Sequence, residues 1–207
     1  MYNMYNSLST RNTHVTRRLS RRIFVTNALR TSSRCENAIN QQIAQEYEAS
    51  ALYDMMHAYY DRTHVALPGF AHFFRKASDE EREHARALIG YMNRRGGRAK
   101  MARTASAPFF EPARSDSIDD VSSAALHGMC TAVDIEMANY ESLLQLHRVA
   151  DEDGDVCLAD EVGEHLLREQ VRAVDDQKRR TVQLKRLVSD PSTACLGVHR
   201  FDAMLSS

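Results

Sequence analysis

Helix breakers are scarce in this sequence: 207 residues contain only eight glycines and four prolines. So few breakers suit a mostly helical chain. No apolar run approaches the roughly 20 residues that cross a bilayer, so a soluble protein is expected. The four cysteines (Cys35, Cys130, Cys157, Cys195) lie far apart and form no C-x-x-C pair. This argues against a disulfide scaffold or a cysteine zinc site and suits a reducing compartment. At this length one domain can bury a sizeable core without covalent staples.

Acids are missing from the first segment. Residues 1–35 hold seven arginines and no Asp, Glu or Lys, so with a formal charge of −1 overall the remainder carries −8. The segment is also rich in Ser and Thr, the composition of an organelle-targeting presequence. Residues 1–32 are therefore set apart as a basic extension, mitochondrial if it acts as a presequence. The alternative is a flexible tail on a cytoplasmic protein. The repeat "MYNMYN" leaves Met4 as a second candidate start.

What remains, 33–207, reads as one all-α domain. Ser33 and Glu36 have capping-box spacing before a helix that runs to about Tyr60. After "DRTHVAL", Pro68 opens a second helix, which Gly96 and Gly97 end. The short link makes these two antiparallel. Residues 98–120 hold two prolines and no sustained helical period. Extended, they reach up to roughly 75 Å, against about 40 Å for a helix of some 27 residues. The loop can therefore return along the bundle and leave the third helix parallel to the second, with Phe109 and Phe110 pinning it. A third helix spans about Val121 to Ala150, a fourth runs from Val156 into "LKRLV", and Asp190–Pro191 starts a short fifth over Ser192 to about Leu205. Cys195, Leu196 and Val198 are its candidate buried residues. The architecture is a four-helix bundle with a long crossover and a short fifth helix.

Polar residues interrupt every inner stripe. The first helix reads Ile39, Ile43, Glu46, Ser50, Tyr53, His57, Tyr60, and the second Phe70, Phe74, Ala77, Glu81, His84, Leu88, Tyr91. The third reads Leu126, Met129, Val133, Glu136, Tyr140, Leu143, His147, and the fourth Val162, Leu166, Gln170, Ala173, Gln177. Burying several carboxylates without a cation costs several kcal/mol each, roughly, and a multivalent cation removes that cost. Carboxylates with one imidazole, one amide and no cysteine suit iron or manganese better than structural zinc or copper(I). Glu81 and His84, in E-x-x-H spacing, share one helix face, as di-iron carboxylate bundles require.

The stretches "INQQIAQEYEAS", "YYDRTHVALPGFAHFF", "SDEEREHARALI", "NRRGGR", "IEMANYESLLQLH" and "HLLREQV" together resemble the ferritin family, in its animal heavy-chain type. The likeness covers about residues 33 to 205. It implies a subunit of a hollow cage, alone or with a second ferritin subunit type, that oxidises Fe(II) with dioxygen and stores Fe(III) as mineral. By the same resemblance Glu46 and His84 hold a first iron, Glu81 bridges both irons and Glu136 holds the second. Gln170 bonds near the second site, and Tyr53 stands beside the centre as an early electron donor. With all iron-binding positions filled, an active ferroxidase is expected rather than a light-chain-like subunit. Glu80 and Glu83 would face the cavity and seed mineral. No nucleic-acid or membrane partner is implied.

Some residues depart from the family pattern. His147 and Asp160 match the three-fold iron channel, but Gly163 stands where a glutamate is usual, flanked by Glu161 and Glu164. Arg86 replaces an acid of the nucleation patch, and the crossover is about ten residues longer than usual. Two rivals remain open: a di-iron enzyme acting on an organic substrate, and a non-catalytic bundle. The first usually carries a second E-x-x-H, which "REQVRA" lacks; the second gives no reason for polar residues on four inner stripes.

Overall fold

The computed structural model describes residues 30–100, 109, 110, 112 and 118–206. The basic segment before Arg30 and most of the crossover lie outside the described residues. Among the described residues there is no strand, and no helix is long and apolar enough to cross a membrane. The helices are α1 (Ser33–Tyr60), α2 (Pro68–Arg94), α3 (Ile118–Glu152), α4 (Val156–Glu161), α5 (Arg168–Leu187) and α6 (Ala194–Leu205). A π-helical stretch, Val162–Leu167, joins α4 to α5, so the expected single fourth helix is one rod in three parts.

Local chemistry sets the ends. The α1 cap is Ser32, not Ser33: the Ser32 hydroxyl accepts from the Cys35 amide at 3.0 Å. Pro68 opens α2 as expected. Beyond its end, Gly96 sits at φ 68°, its N–H bonds Asn93 O at 3.2 Å, and Gly97 N–H bonds Met92 O at 3.0 Å. That pair of bonds is the Schellman motif, which a β-carbon at Gly96 would strain.

The last helix departs from expectation in two ways. Asp190 organises a turn, accepting from the Ser192 amide at 2.9 Å, and α6 begins only at Ala194. Val198 is buried, but Leu196 is 68% exposed and Cys195 is exposed as well; the buried face consists of Ala194, Gly197, Val198, Phe201 and Asp202.

Cross-helix bonds fix the directions. Between α1 and α2, Ser50 bonds Ser78 and His57 bonds Ala71 O, an antiparallel pair. Between α1 and α3, Tyr60 bonds Ala124 O while Gln42 bonds Asn139. The third helix is therefore antiparallel to the first and parallel to the second, as the loop length predicts. The fourth rod runs back against α3, with Gln177 on Met129 O and Gln170 on Glu136. Phe110 does pin the crossover: it is buried, 5.6 Å from the Tyr59 ring and 5.5 Å from His127. Phe109 does not, being 76% exposed.

The apolar core is split in two. One cluster gathers Tyr53, Met56, Tyr60, Phe70, Phe74, Met129, Leu184 and Phe201 around α6, and the other gathers Ile39, Ile43, Leu88, Met92, Leu143, Leu146, Leu158 and Val162. Along every rod the polar interruption falls between these clusters: Glu46, Glu81, Asn139 and Gln170 are all buried there.

Candidate metal centre

Glu46 and Glu81 meet across the α1–α2 interface, 1% and 3% exposed. With His84 they form a group whose ligand atoms lie within 4.8 Å of one another. His84 Nδ1 is 3.5 Å from Glu81 Oε2 and 3.9 Å from Glu46 Oε2, and its Nε2 faces Glu169 Oε1 at 3.5 Å. Glu136 sits beside this group. Its Oε1 accepts from the Tyr53 hydroxyl at 2.6 Å, and Gln170 Nε2 donates to its Oε2 at 2.5 Å and to its backbone oxygen at 3.0 Å. All six residues singled out in the sequence therefore fall in one polar layer.

Burial raises the proton affinity of Glu46, Glu81 and Glu136. Glu46 is pushed up to about 8, first by desolvation, then by a proton shared with Glu81 and by the Glu81 charge. Glu81 rises to about 7, again chiefly through burial. Glu136 also rises through burial, against donation from Tyr53 and Gln170. The Tyr53 phenol is driven well above its ordinary value by burial and by the Glu136 charge. Among the described residues the side chains bonded to the three acids are amides, a phenol and an imidazole, with no lysine or arginine. Such a set holds a proton when empty and is suited to take a hard multivalent cation instead.

Two buried residues of the layer escaped sequence reasoning. Gln42 Nε2 donates to Glu46 Oε1 at 2.7 Å and to Asn139 Oδ1 at 2.6 Å; Asn139 Nδ2 donates to Glu46 Oε2 at 2.8 Å and to Glu81 Oε2 at 3.1 Å. The signal for Asn139 was present. The buried line of α3 is Ala125, Met129, Ala132, Asn139, Leu143, Leu146 and Ala150, rotated from the expected stripe, on which Leu126, Val133, Tyr140 and His147 are only partly buried. Glu169, 64% exposed at its side chain, is the third residue missed.

A cavity of about 700 Å³ opens beside the centre, with Tyr53, Glu136, Glu169, Lys76 and Arg172 among its lining residues, and reaches Phe201 of α6. At the far end of the fourth rod, His147 Nδ1 pairs with Asp151 at 3.3 Å, while Glu164 is bonded to Arg168 at 2.9 Å. Asp160 and Glu164 are exposed, and Glu161 is half-buried.

A family model described as a ferritin-like domain matches residues 36–187. Ferritin-2, chloroplastic, of Vigna unguiculata is 42% identical over 170 residues, which is 82% of this chain and 64% of its own length. Ferritin-4, chloroplastic, of Arabidopsis thaliana is 44% identical over 156 residues, 75% of this chain and 58% of its own. The chain thus spans about six tenths of the length of these curated relatives. A crystal structure of ferritin from the multicellular green alga Ulva pertusa superposes with a TM-score of 0.79 at 37% identity, covering 94% of this chain and 96% of that one. These relatives are plant and algal proteins, and they do not support the animal heavy-chain type read from the sequence. A match running from Glu36 to Leu187, with identity of this order across nearly the whole of a solved ferritin, places this chain in the ferritin family.

Proposed function

We propose that this protein oxidises Fe(II) with dioxygen at the buried carboxylate layer and stores the ferric product in an oligomeric cage. The carrying observation is the meeting of buried Glu46 and Glu81 with partly buried Glu136 in one polar layer, where no lysine or arginine among the described residues is bonded to them. Glu46 and His84 hold the first iron, Glu81 bridges, and Glu136 with Gln170 serves the second. Two Fe(II) ions give one electron each, and with two protons they reduce O2 to hydrogen peroxide, while hard oxygen ligands favour the Fe(III) product. Tyr53, hydrogen-bonded to Glu136, stands where it can supply an electron early in turnover. Glu80 and Glu83, exposed beside the centre, offer carboxylates for mineral growth. Metal-free protein mixed with Fe(II) in air tests this: a rise in ferric absorbance is expected, with its fast phase suppressed in Glu81→Ala. No rise in the unmodified protein would overturn the reading.

The cage is built from this chain alone or with a second ferritin subunit. Asp160, Glu161 and Glu164 supply an altered acidic funnel for iron, weakened by the Glu164–Arg168 pair. Residues 1–32 act as an organelle address. The curated relatives are named chloroplastic, which favours a plastid destination over the mitochondrial one. Fusing residues 1–35 to a fluorescent protein tests the address, and size-exclusion chromatography with and without them tests assembly.

A further inference from the structure

Asn139 is 0% exposed and is the amide on a buried line of α3 that otherwise runs through Ser122, Ala125, Met129, Ala132, Leu143 and Leu146. A buried amide is costly unless each of its groups is matched. Here both are. Its oxygen accepts from Gln42 Nε2 at 2.6 Å, and Gln42 is itself held by the Ser142 hydroxyl, which donates to Gln42 Oε1 at 2.5 Å. With the oxygen committed to Gln42, the NH2 group must face the opposite way, toward the acids. Its nitrogen lies 2.8 Å from Glu46 Oε2 and 3.1 Å from Glu81 Oε2, the same two oxygens that face His84 Nδ1.

Resting on the metal-centre reading above, we propose that Asn139 is a positioning residue for the first metal site: its NH2 gives one hydrogen to each carboxylate and holds the pair at chelating spacing before any cation arrives. Two carboxylates this close repel when both are charged. One NH2 placed between them presents a positive hydrogen to each and keeps them adjacent. A carboxylate oxygen has a second lone pair, so these bonds persist when a cation binds on the His84 side. The chain Ser142–Gln42–Asn139 then acts as a strut from α1 and α3 that fixes Glu46 against Glu81 on α2.

Valine and threonine have nearly the same shape, but only threonine keeps a donor, and only one. The test is anaerobic titration of the full-length assembled protein with Co(II), read by its visible absorption, in wild type, Asn139→Thr and Asn139→Val. First-site affinity is expected to fall about tenfold in Asn139→Val, the scale of a lost hydrogen bond to a charged group, and by a smaller factor in Asn139→Thr, with helicity and assembly unchanged. Affinity in Asn139→Val equal to wild type, or Thr and Val weakened alike, overturns the inference. Should Asn139→Val fail to assemble, unchanged affinity in Asn139→Thr overturns it by itself. Wild type that takes up no Co(II) sinks the metal-centre reading and this inference together, whereas binding indifferent to position 139 sinks the inference alone.

Discussion

The Tyr53 hydroxyl donates to Glu136 Oε1 at 2.6 Å, tying α1 to α3 at the edge of the carboxylate layer. Tyr53 is itself buried and stacked at 6.1 Å on Phe74, so the phenol has little freedom to point elsewhere. Removing the hydroxyl leaves Glu136 with Gln170 as its remaining side-chain donor. A lost hydrogen bond to a charged group is worth about 1.5–3 kcal/mol, or at least about tenfold in affinity. On the proposed function, Tyr53→Phe is expected to weaken metal binding at Glu136 by that order and slow the initial phase of iron oxidation, as followed by stopped-flow absorbance. An initial rate equal to wild type would count against both the contact and the electron-donor role.

The raised proton affinities of Glu46 and Glu81 give the metal-free protein a pH signature. Their folded values of about 8 and about 7 lie above the ordinary 4.5, so folded protein binds these protons more tightly than unfolded protein does. Their contribution to stability is full below about pH 4.5 and is lost as pH rises through 7 to 8. The thermal midpoint of metal-free protein should therefore decline across that window more steeply than that of Glu46→Gln. Saturating metal should lift the midpoint most at the alkaline end, where no proton has to be displaced. Parallel curves for the two proteins in differential scanning calorimetry would refute the assignment.

Asp202 of α6 reaches the start of α2, accepting from the Phe70 amide at 2.9 Å. No side chain of α2's own cap position does this work, because that residue is Leu67. The last helix therefore supplies an N-cap from 132 positions away, and a cap is worth about 0.5–2 kcal/mol. Gly69 lets the two helices approach, since a β-carbon there would fall 1.8 Å from Asp202 O. Asp202→Ala is expected to cost about 1–2 kcal/mol, with Asp202→Asn largely retaining stability because its oxygen still accepts. Denaturant melts compare them, and equal loss in both variants would remove the capping account.

Gly163 lies in the π-helical stretch with His147 beside it, such that an added β-carbon would stand 3.3 Å from His147 Nε2. A carboxylate introduced there would add negative charge next to an imidazole already paired with Asp151. Gly163→Glu should speed Fe(II) uptake by roughly two- to fivefold at low ionic strength, with the gain shrinking as salt screens the field. Uptake unchanged at low salt would tell against an acidic route past this residue.

Much of this was legible in the chain itself. The helices, the crossover that sets α3 parallel to α2, and the six polar residues of the inner stripes all follow from local period, caps and loop length, which neighbouring residues decide among themselves. Errors were of rotation and of detail. The α3 stripe expected from hydrophobicity runs through Leu126 and Val133, whereas Ala125, Ala132 and Asn139 are the buried residues. Small alanines carry little hydrophobic signal, and one residue turns a helix by about 100°. The animal heavy-chain subtype was likewise beyond what the motifs could carry.

Sequence by itself determined four rods, their order and the acids that interrupt them, because periodicity and helix ends are short-range properties. Only the tertiary structure decided which oxygens face one another, that Asn139 and Gln42 join the acids, that Asp202 caps a distant helix, and that the fourth rod passes through a π turn. Those depend on how each rod is rotated about its axis, and that rotation is fixed by packing against its neighbours rather than by the rod's own residues.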